Sequence, residues 1–346
     1  INNYTKTNMK KVIFILALAL TGTTAFAQDA PKSTPLEISG SADGYYKYDF
    51  SKNENIKTSF GTDHNSLSLG MLDIALKKTT GKASFVGELS FGPRGQYQSI
   101  PNGDGSSSNA DNSFHIQNLY ATYAFTDKFS MTGGYMGTFI GYEVISPLAN
   151  FSYSTSYLFT NGPFQNTGIK ANYKFTDKFA GMVGLFNDSW NSYTSEFGVK
   201  AVGAQLSYAA GSSSVYLNFM DGKNSGTIFD LTATFQLTEK FKLGLNAADF
   251  SNTGDAGYTG VAIYPSVSLS DSFGLGLRAE YFQYKEGSGD TDVTAVTLSG
   301  NYKIAGLTII PEFRMDSNSD EVMFIDSDMA PTKSASQFLL AVVYGF

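Results

Sequence analysis

Alternation of apolar and polar residues with a period of two runs along most of this sequence, in segments of about ten residues. In one segment Asp230 lies between Phe229 and Leu231, and in another Arg314 follows Phe313. Successive side chains of a β-strand point to opposite faces, so each segment predicts a strand with one apolar and one polar face. Sixteen strands are predicted to start near Leu36, Leu67, Lys82, Phe114, Phe129, Gly168, Phe179, Phe197, Ser214, Thr227, Phe241, Tyr258, Phe273, Val293, Leu307 and Gln337.

The links between these strands are short and long in alternation. After every even strand but the last the link is short, as at residues 126–128, 176–178 and 238–240. After odd strands it is usually longer and rich in Gly, Ser, Asn and Asp, as at residues 93–111. Barrels of the bacterial outer membrane have short periplasmic turns and longer outer loops. The sequence therefore predicts an all-β fold, an antiparallel transmembrane β-barrel of about sixteen strands.

Composition excludes several other classes of protein. Charged residues make up 16% of the chain, against about 25% in a typical soluble domain. The chain has no Cys, which excludes disulfides, a thiolate nucleophile and a cysteine zinc site. Its net charge of −7, without a basic stripe, argues against nucleic acid as a partner. The sequence has no run of 18 consecutive apolar residues, so it predicts no membrane-spanning helix.

The N-terminal segment predicts export. Residues 1–8 are interpreted as upstream sequence, and residues 9–27 as a signal peptide starting at Met9. Lys10 and Lys11 precede a short apolar run, and residues 25–27 form an A-x-A cleavage site. A buried core helix is the alternative for this run. Residues 28–346 would then be a single barrel domain with a net charge of −10, which indicates a mild cation preference.

Aromatic residues flank the short turns, as Phe125 and Phe129 do at one turn and Phe175 and Phe179 at another. They predict a girdle at the periplasmic membrane interface, although such pairs could also stabilise hairpins of a soluble sheet. The last strand alternates apolar residues and ends on Phe346. This ending is similar to the signal read by the outer-membrane insertion machinery, which is thus a predicted partner.

Two prolines conflict with this strand pattern. Pro265 and Pro311 fall inside the twelfth and fifteenth strands, and a closed barrel has no free edge to accommodate a missing N–H donor. We therefore expect a bulge at each proline, or a register one or two residues away from the predicted one.

The sequence resembles a known family over residues 117–123 (QNLYATY), 133–143 (GGYMGTFIGYE) and 150–154 (NFSYS). This is the OmpL-like β-barrel porin family, and the likeness extends along most of the chain. The resemblance implies an outer-membrane barrel acting as a porin, and it implies no catalytic residues.

Sixteen strands enclose room for water, so inward polar residues would line a channel. An Arg at the membrane midplane of the lipid face would cost about 2–4 kcal/mol, which assigns the charged face to the lumen. The predicted pore-lining residues are Glu37, Asp43, Asp73, Glu88, Lys170, Lys174, Asp230, Arg278, Glu280, Glu312 and Arg314. Alternatively, these charges pair with one another and solvate the wall.

The third outer loop is predicted at residues 141–163, and its aromatic residues indicate a packed element. By analogy with other porins it would fold into the lumen and narrow the pore. Its predicted constriction residues are Tyr142, Glu143, Asn150 and Tyr153. A loop that points outward and serves surface contacts is the alternative.

Catalysis and metal binding find little support. His64 and His115 are the two histidines, both at predicted outer strand ends, and no motif supplies a partner for a surface hydrolase. Residues 316–320 open like a calcium loop, but Glu321 stands where Gly is needed. Acidic outer loops that bridge divalent ions to anionic lipid are the alternative. We predict no enzyme activity, no cofactor and no protein metal site.

The predicted function is passive diffusion of small hydrophilic solutes through a porin of the outer membrane. The alternative is a closed barrel, structural, adhesive or receptor-like, whose outer loops bind a partner. Outer-membrane lipid and small hydrophilic solutes are the expected partners, and a monomer and a homo-oligomer both remain open.

Overall fold

The computed structural model describes residues 32–92, 94, 114–285, 289–320 and 323–346. Within them sixteen strands form one closed antiparallel barrel, in which neighbours in sequence pair and the first strand pairs with the last. This confirms the predicted fold. The barrel strands are β1 (Glu37–Asp49), β2 (Ser66–Thr80), β3 (Ala83–Phe91), β4 (Phe114–Ala124), β5 (Phe129–Gly137), β6 (Gln165–Lys174), β7 (Phe179–Asn187), β8 (Val199–Ala210), β9 (Ser213–Gly222), β10 (Gly226–Gln236), β11 (Phe241–Ser251), β12 (Gly257–Ser268), β13 (Phe273–Lys285), β14 (Thr291–Ile304), β15 (Leu307–Ser317) and β16 (Ser334–Gly345). The predicted signal peptide lies outside the described residues.

The two faces of the barrel wall differ as the alternation predicts. Large apolar side chains such as Leu67, Val183 and Leu217 lie on the outer face and are 88%, 64% and 55% exposed. Inward positions such as Asp230 and Arg278 are buried. A continuous exposed apolar face of this kind suits contact with lipid. No helix among the described residues is long and apolar enough to cross a membrane.

The short turns repeat one hydrogen-bond pattern. The Thr126 hydroxyl accepts the N–H of Phe129 at 3.0 Å, and equivalent bonds form at residues 176–179 and 238–241. Such Ser/Thr turns hold the chain in a tight reversal and so fix the register of the flanking strands. The rings of Phe125 and Phe129 lie 5.4 Å apart at this end, in the position of the predicted girdle.

The prolines are accommodated without bulges. Each leaves a gap in one ladder, Pro265 between β12 and β13 and Pro311 between β14 and β15, but the register is the same on both sides. The expectation of a bulge or shifted register there is therefore wrong, because the flanking ladder bonds keep the pairing when one donor is missing. Register shifts occur instead in β1 between Ala42 and Gly44, in β3 after Glu88, and in β7.

The third outer loop (residues 138–164) enters the barrel instead of extending outward. Near its middle, Leu148 packs against Gly345, at the periplasmic end of β16. Residues 147–151 share a cavity of about 240 Å³ with the periplasmic turn at residues 270–272. The loop then returns to the outer side through a five-residue helix, α1 (Tyr157–Asn161). It therefore spans the length of the lumen along one side.

Two further outer loops meet above this side of the barrel. In the first loop (residues 50–65), Asn55 donates its side-chain amide to the carbonyl of Ile325 and accepts the Ile325 N–H, both at 2.8 Å. Ile325 belongs to a small hairpin (Phe324–Ile325 and Pro331–Thr332) of the eighth loop. Ile56 and Phe324 pack in one apolar cluster with Tyr157 of α1.

Candidate functional site

Glutamates of the barrel wall bind the backbone of the third loop. Glu280 accepts the first two N–H groups of α1 (Tyr157–Asn161), at 2.9 and 2.8 Å. Glu312 accepts the N–H groups of Tyr153 and Ser154 at 3.0 and 3.3 Å. Both glutamates are 2% exposed. Hydrogen bonds to a buried carboxylate are stronger than neutral ones, so the wall fixes the returning half of the loop.

Asp230 holds the start of the loop in a similar way. Its carboxylate accepts the Gly141 N–H at 3.0 Å and the side-chain amides of Asn218 and Asn246 at 2.6 Å each. Gly141 has a φ of 88°, a left-handed conformation that favours glycine. The loop therefore turns inward at Gly141 and is bound to β10 as it does so.

Two tyrosines of the loop donate to aspartates of the wall. The Tyr153 hydroxyl donates to Asp43 of β1 at 2.5 Å, and the Tyr157 hydroxyl donates to Asp316 of β15 at 2.8 Å. Burial, together with the Asp316 carboxylate, raises the pKa of Tyr157 well above its ordinary value. The hydroxyl therefore stays protonated and remains a donor over the whole physiological pH range.

Arginines of the wall complete the attachment. Arg278 donates to the Glu143 carboxylate at 2.7 Å and to the Ser154 carbonyl at 2.6 Å. Arg314 donates to the Thr155 carbonyl at 2.8 Å. Both guanidinium groups are fully buried. Arg278 thus joins the two halves of the loop to each other as well as to the wall, and Arg314 holds the returning half.

Inward glycines make room for the aromatic side chains of the loop. A Cβ at Gly276 would overlap the ring of Phe151, and a Cβ at Gly244 would overlap the ring of Tyr142. Tyr142 also stacks on Tyr264, with ring centroids 4.4 Å apart. The wall is therefore shaped to receive this loop in one position.

A family model for "Putative beta-barrel porin-2, OmpL-like" matches residues 35–346. The chain belongs to this family. It is accordingly a porin of the outer membrane, and family and fold indicate a channel, not an enzyme. No curated protein matches the sequence.

Solved porins of low sequence identity share the fold. OmpF of Salmonella typhi, in complex with daunomycin, is 13% identical with a TM-score of 0.62, covering 90% of this chain and 97% of its own. The anion-selective porin of Comamonas acidovorans is 14% identical with a TM-score of 0.60, covering 91% and 100%. The trimer form of OmpT from Vibrio cholerae is 13% identical with a TM-score of 0.59, covering 92% and 100%.

The eleven side chains predicted to line the pore all occupy inward positions of the porin, but their surroundings differ. Asp73 accepts a hydrogen bond from Ser41, while Glu88 accepts from Gln117 and Asn118. Glu37 lies exposed at the periplasmic rim, 3.9 Å from Lys77. Lys170 and Lys174 form no ion pair within the described residues. Those that bind the third loop are Asp43, Asp230, Arg278, Glu280, Glu312 and Arg314.

The four predicted constriction residues all lie inside the barrel. Tyr142 stacks on the wall, Glu143 pairs with Arg278 and Tyr153 donates to a wall aspartate. Asn150 closes the loop on itself, because its side-chain amide donates to the Val144 carbonyl at 2.6 Å and its oxygen accepts the Val144 N–H at 3.0 Å.

Sequence reasoning missed several inward charges of the porin. Lys47 is fully buried beside Asp49, with the two charged groups 3.0 Å apart. Lys242 and Lys303 face inward near the periplasmic end, and neither forms an ion pair in the described part of the chain. Strict alternation could have identified both, since Lys242 lies four residues before the inward Asn246.

Strand alternation places Asp316 on the polar face of the fifteenth strand, and residues 316–320 also open like a calcium loop. The structure agrees with the strand: Asp316 is the last inward residue of β15, fully buried, and it binds Arg314 through two hydrogen bonds of 2.8 Å. His64 accepts the Asp49 N–H at 3.0 Å, and His115 is buried in β4. The two histidines thus occupy separate structural environments.

Replacing Gly276 by Leu should loosen the middle of the loop, because the new side chain must displace Phe151. Overpacking of this kind typically costs about 1–3 kcal/mol. We expect larger single-channel conductance and more frequent current fluctuations in a planar bilayer. Gly87→Leu is the matched control, since a Cβ at this outward position would meet Phe85 and Leu119 at ordinary contact distances of 3.4 and 3.9 Å. Equal conductance in both variants would contradict a seated loop.

Proposed function

We propose that this porin lets small hydrophilic solutes diffuse along the side of the lumen that the third loop leaves open, with a preference for anions. The observation that carries the proposal is an imbalance among the charges that water can reach. Most inward carboxylates are buried against the third loop, whereas four inward lysines of the barrel wall, Lys170, Lys174, Lys242 and Lys303, form no ion pair within the described residues.

The buried carboxylates are shielded from solutes by the loop itself. Asp230, Glu280 and Glu312 are 5%, 2% and 2% exposed, and each accepts at least two hydrogen bonds. Glu88 is the half-buried carboxylate of the open side. The lysines on that side are Lys170, which is half-buried, and Lys174, which is exposed, whereas Lys242 and Lys303 line cavities beside the third loop. Selectivity of a pore is governed by the charges that line its path.

This preference is opposite to the one that the net charge of the sequence indicates. Net charge counts carboxylates of the outer loops and of the buried network together with those of the path. A precedent on the same fold is the porin of Comamonas acidovorans, which is anion-selective. We therefore propose Lys170, Lys174 and Glu88 as solute-contacting residues, and the six loop-binding residues as positioning groups.

The double variant Lys170→Glu/Lys174→Glu tests this proposal through its reversal potential in a KCl gradient. Each reversal changes the energy of a monovalent ion about 4 Å away by roughly 2 kcal/mol in water, enough to invert a tenfold preference. We expect chloride preference in the parent and potassium preference in the variant. Lys223→Glu is the control, because it makes the same charge reversal as each of the two substitutions, but in an exposed outer turn. A cation-preferring parent would overturn the proposal.

A closed barrel with a receptor or adhesive role is the second candidate. It is favoured by the depth of the third loop, which reaches Gly345, and by the bonds between the first and eighth loops above it. This candidate requires a folded barrel without conductance in the same bilayer measurement, and loss of partner binding when the outer loops are shortened.

We also propose that the protein is cleaved by signal peptidase, inserted into the outer membrane and assembled as a homo-oligomer. Cleavage after residue 27 would leave residues 28–346 as a single barrel, in line with the sequence pattern of residues 9–27. The last strand, together with Phe346 after it, would be read by the insertion machinery, and the apolar outer face would contact lipid. OmpT of Vibrio cholerae was solved in a trimer form, which supports a homo-oligomer.

A further inference from the structure

A cavity of about 380 Å³ lies in the lumen between the start of the third loop and the wall formed by β8–β11. The loop contributes Phe139 and Tyr142 to its lining, and the wall contributes polar side chains. Binding sites for small molecules commonly have volumes of about 300–1,000 Å³ and combine apolar walls with a few polar groups. The cavity therefore has the size of a small-molecule site.

Hydroxyl groups cover the wall side of this cavity. Thr232 lies opposite Tyr216, and Thr234 lies opposite Ser214, as cross-strand pairs of β9 and β10. All four residues are at inward positions, and each hydroxyl can both donate and accept a hydrogen bond. Gln205 of β8 adds a side-chain amide. Such a surface can exchange hydrogen bonds with several hydroxyls of one solute.

Aromatic rings cover the loop side. Tyr142 is fixed by its stack on Tyr264, with centroids 4.4 Å apart. Phe139 packs on Phe186, with centroids 5.7 Å apart. Because both rings are supported from behind, they offer a fixed apolar surface at little cost in side-chain entropy. The cavity thus has one apolar and one hydroxyl-rich side.

Lys242 is the one charged side chain among the described residues that line this cavity, and it forms no ion pair with any other described residue. Lys242 also lines the cavity of about 240 Å³ that reaches the periplasmic turn, together with Lys303. Lys242 therefore lies where the two cavities adjoin. A solute moving between them passes its ammonium group.

We propose that the 380 Å³ cavity is a transient binding site for a polyhydroxylated monoanion of monosaccharide size, such as a hexuronate. Its carboxylate binds Lys242, its hydroxyls bind Thr232, Thr234 and Ser214, and the C–H face of its ring packs on Tyr142. The proposal rests on the proposed function, because it specifies one class of solute for the anion-preferring path.

The test measures chloride current through the refolded protein in a planar bilayer as glucuronate is added. We expect glucuronate to reduce the current with saturation, glucose to do so more weakly, and acetate to have no saturating effect. In Lys242→Gln, the glucuronate concentration that halves the current should rise about tenfold, the loss expected for one charge-assisted hydrogen bond. Thr232→Val should weaken the block of the current by glucuronate and by glucose to the same extent.

Two controls separate this inference from the proposed function. Thr122→Val removes an inward hydroxyl that bonds Thr132, outside the cavity, and should leave the glucuronate effect unchanged. Lys170→Gln should lower the preference for chloride without weakening the block of the current by glucuronate. An anion-preferring channel without a saturating glucuronate effect overturns the site alone.

A cation-preferring channel that glucuronate still blocks overturns the proposed anion preference and keeps the site. If the folded barrel carries no current, calorimetric titration of the detergent-solubilised protein with glucuronate decides. Binding that Lys242→Gln weakens supports the site, and no heat of binding overturns it.

Discussion

Replacing residues 142–160 by a short Gly-Ser linker should raise the single-channel conductance several-fold, the largest effect we expect from any change. The loop lies along the lumen from the outer side to Gly345, so its removal widens the path over most of its length. The wall residues that bind the loop lose these partners, but water enters and forms hydrogen bonds with them instead, so no charge is left buried and unpaired. These residues are Arg278, Glu280, Glu312 and Arg314.

The barrel itself should survive this replacement. All sixteen ladders of the barrel are formed between strands and none requires the loop. Heat-dependent gel mobility and circular dichroism check folding before conductance is compared. A folded barrel with unchanged conductance would mean that the loop does not lie in the path, and would remove the basis for a constriction.

Breaking the Arg278–Glu143 pair on one side should release the loop while the chain remains intact. In Arg278→Met, the Glu143 carboxylate loses its cationic partner and keeps the Ser156 N–H as a donor, and the Ser154 carbonyl loses the Arg278 donor, all in a buried site. Removing one partner of a buried pair typically costs about 3–5 kcal/mol. We expect the loop to leave its position for part of the time, seen as large, slow current fluctuations and faster proteolysis within residues 142–160.

The double variant Arg278→Met/Glu143→Gln is the matched control. It removes both charges, so the penalty of a buried unpaired carboxylate disappears. The large, slow current fluctuations of Arg278→Met should then be absent. Arg278→Lys keeps the charge but loses the planar pair of donors, and an intermediate result is expected. If the double variant fluctuates as strongly as Arg278→Met, the effect does not come from this ion pair.

Strand positions could be predicted wherever a tight turn marks them. β5, β7, β11 and β13 begin at the residues expected from the turns that precede them, Phe129, Phe179, Phe241 and Phe273. At the outer ends no turn chemistry marks the boundary. β6 starts at Gln165 where Gly168 was expected, because bonds to the fourth outer loop, such as that from the Gln165 N–H to Asn191, extend it.

The face of each inward charge could also be predicted, since alternation is a local property of the sequence. What covers each charge could not. Glu312 binds Tyr153 across 159 positions in sequence, and Asp43 binds the same tyrosine across 110. Nothing in the pattern around Glu312 differs from that around Lys170, which has no such partner in the described residues. The loop therefore decides which inward charges meet solutes.

The third loop contacts both edges of the seam at which the first and last strands close the barrel. β1 and β16 meet at the seam that closes the cylinder, and the loop contacts both sides of it, through Asp43 on β1 and Gly345 on β16. Glu312 on β15 holds the same Tyr153 as Asp43. A loop bound on both sides of the seam adds contacts that hold these two edges together, in addition to the hydrogen bonds between β1 and β16.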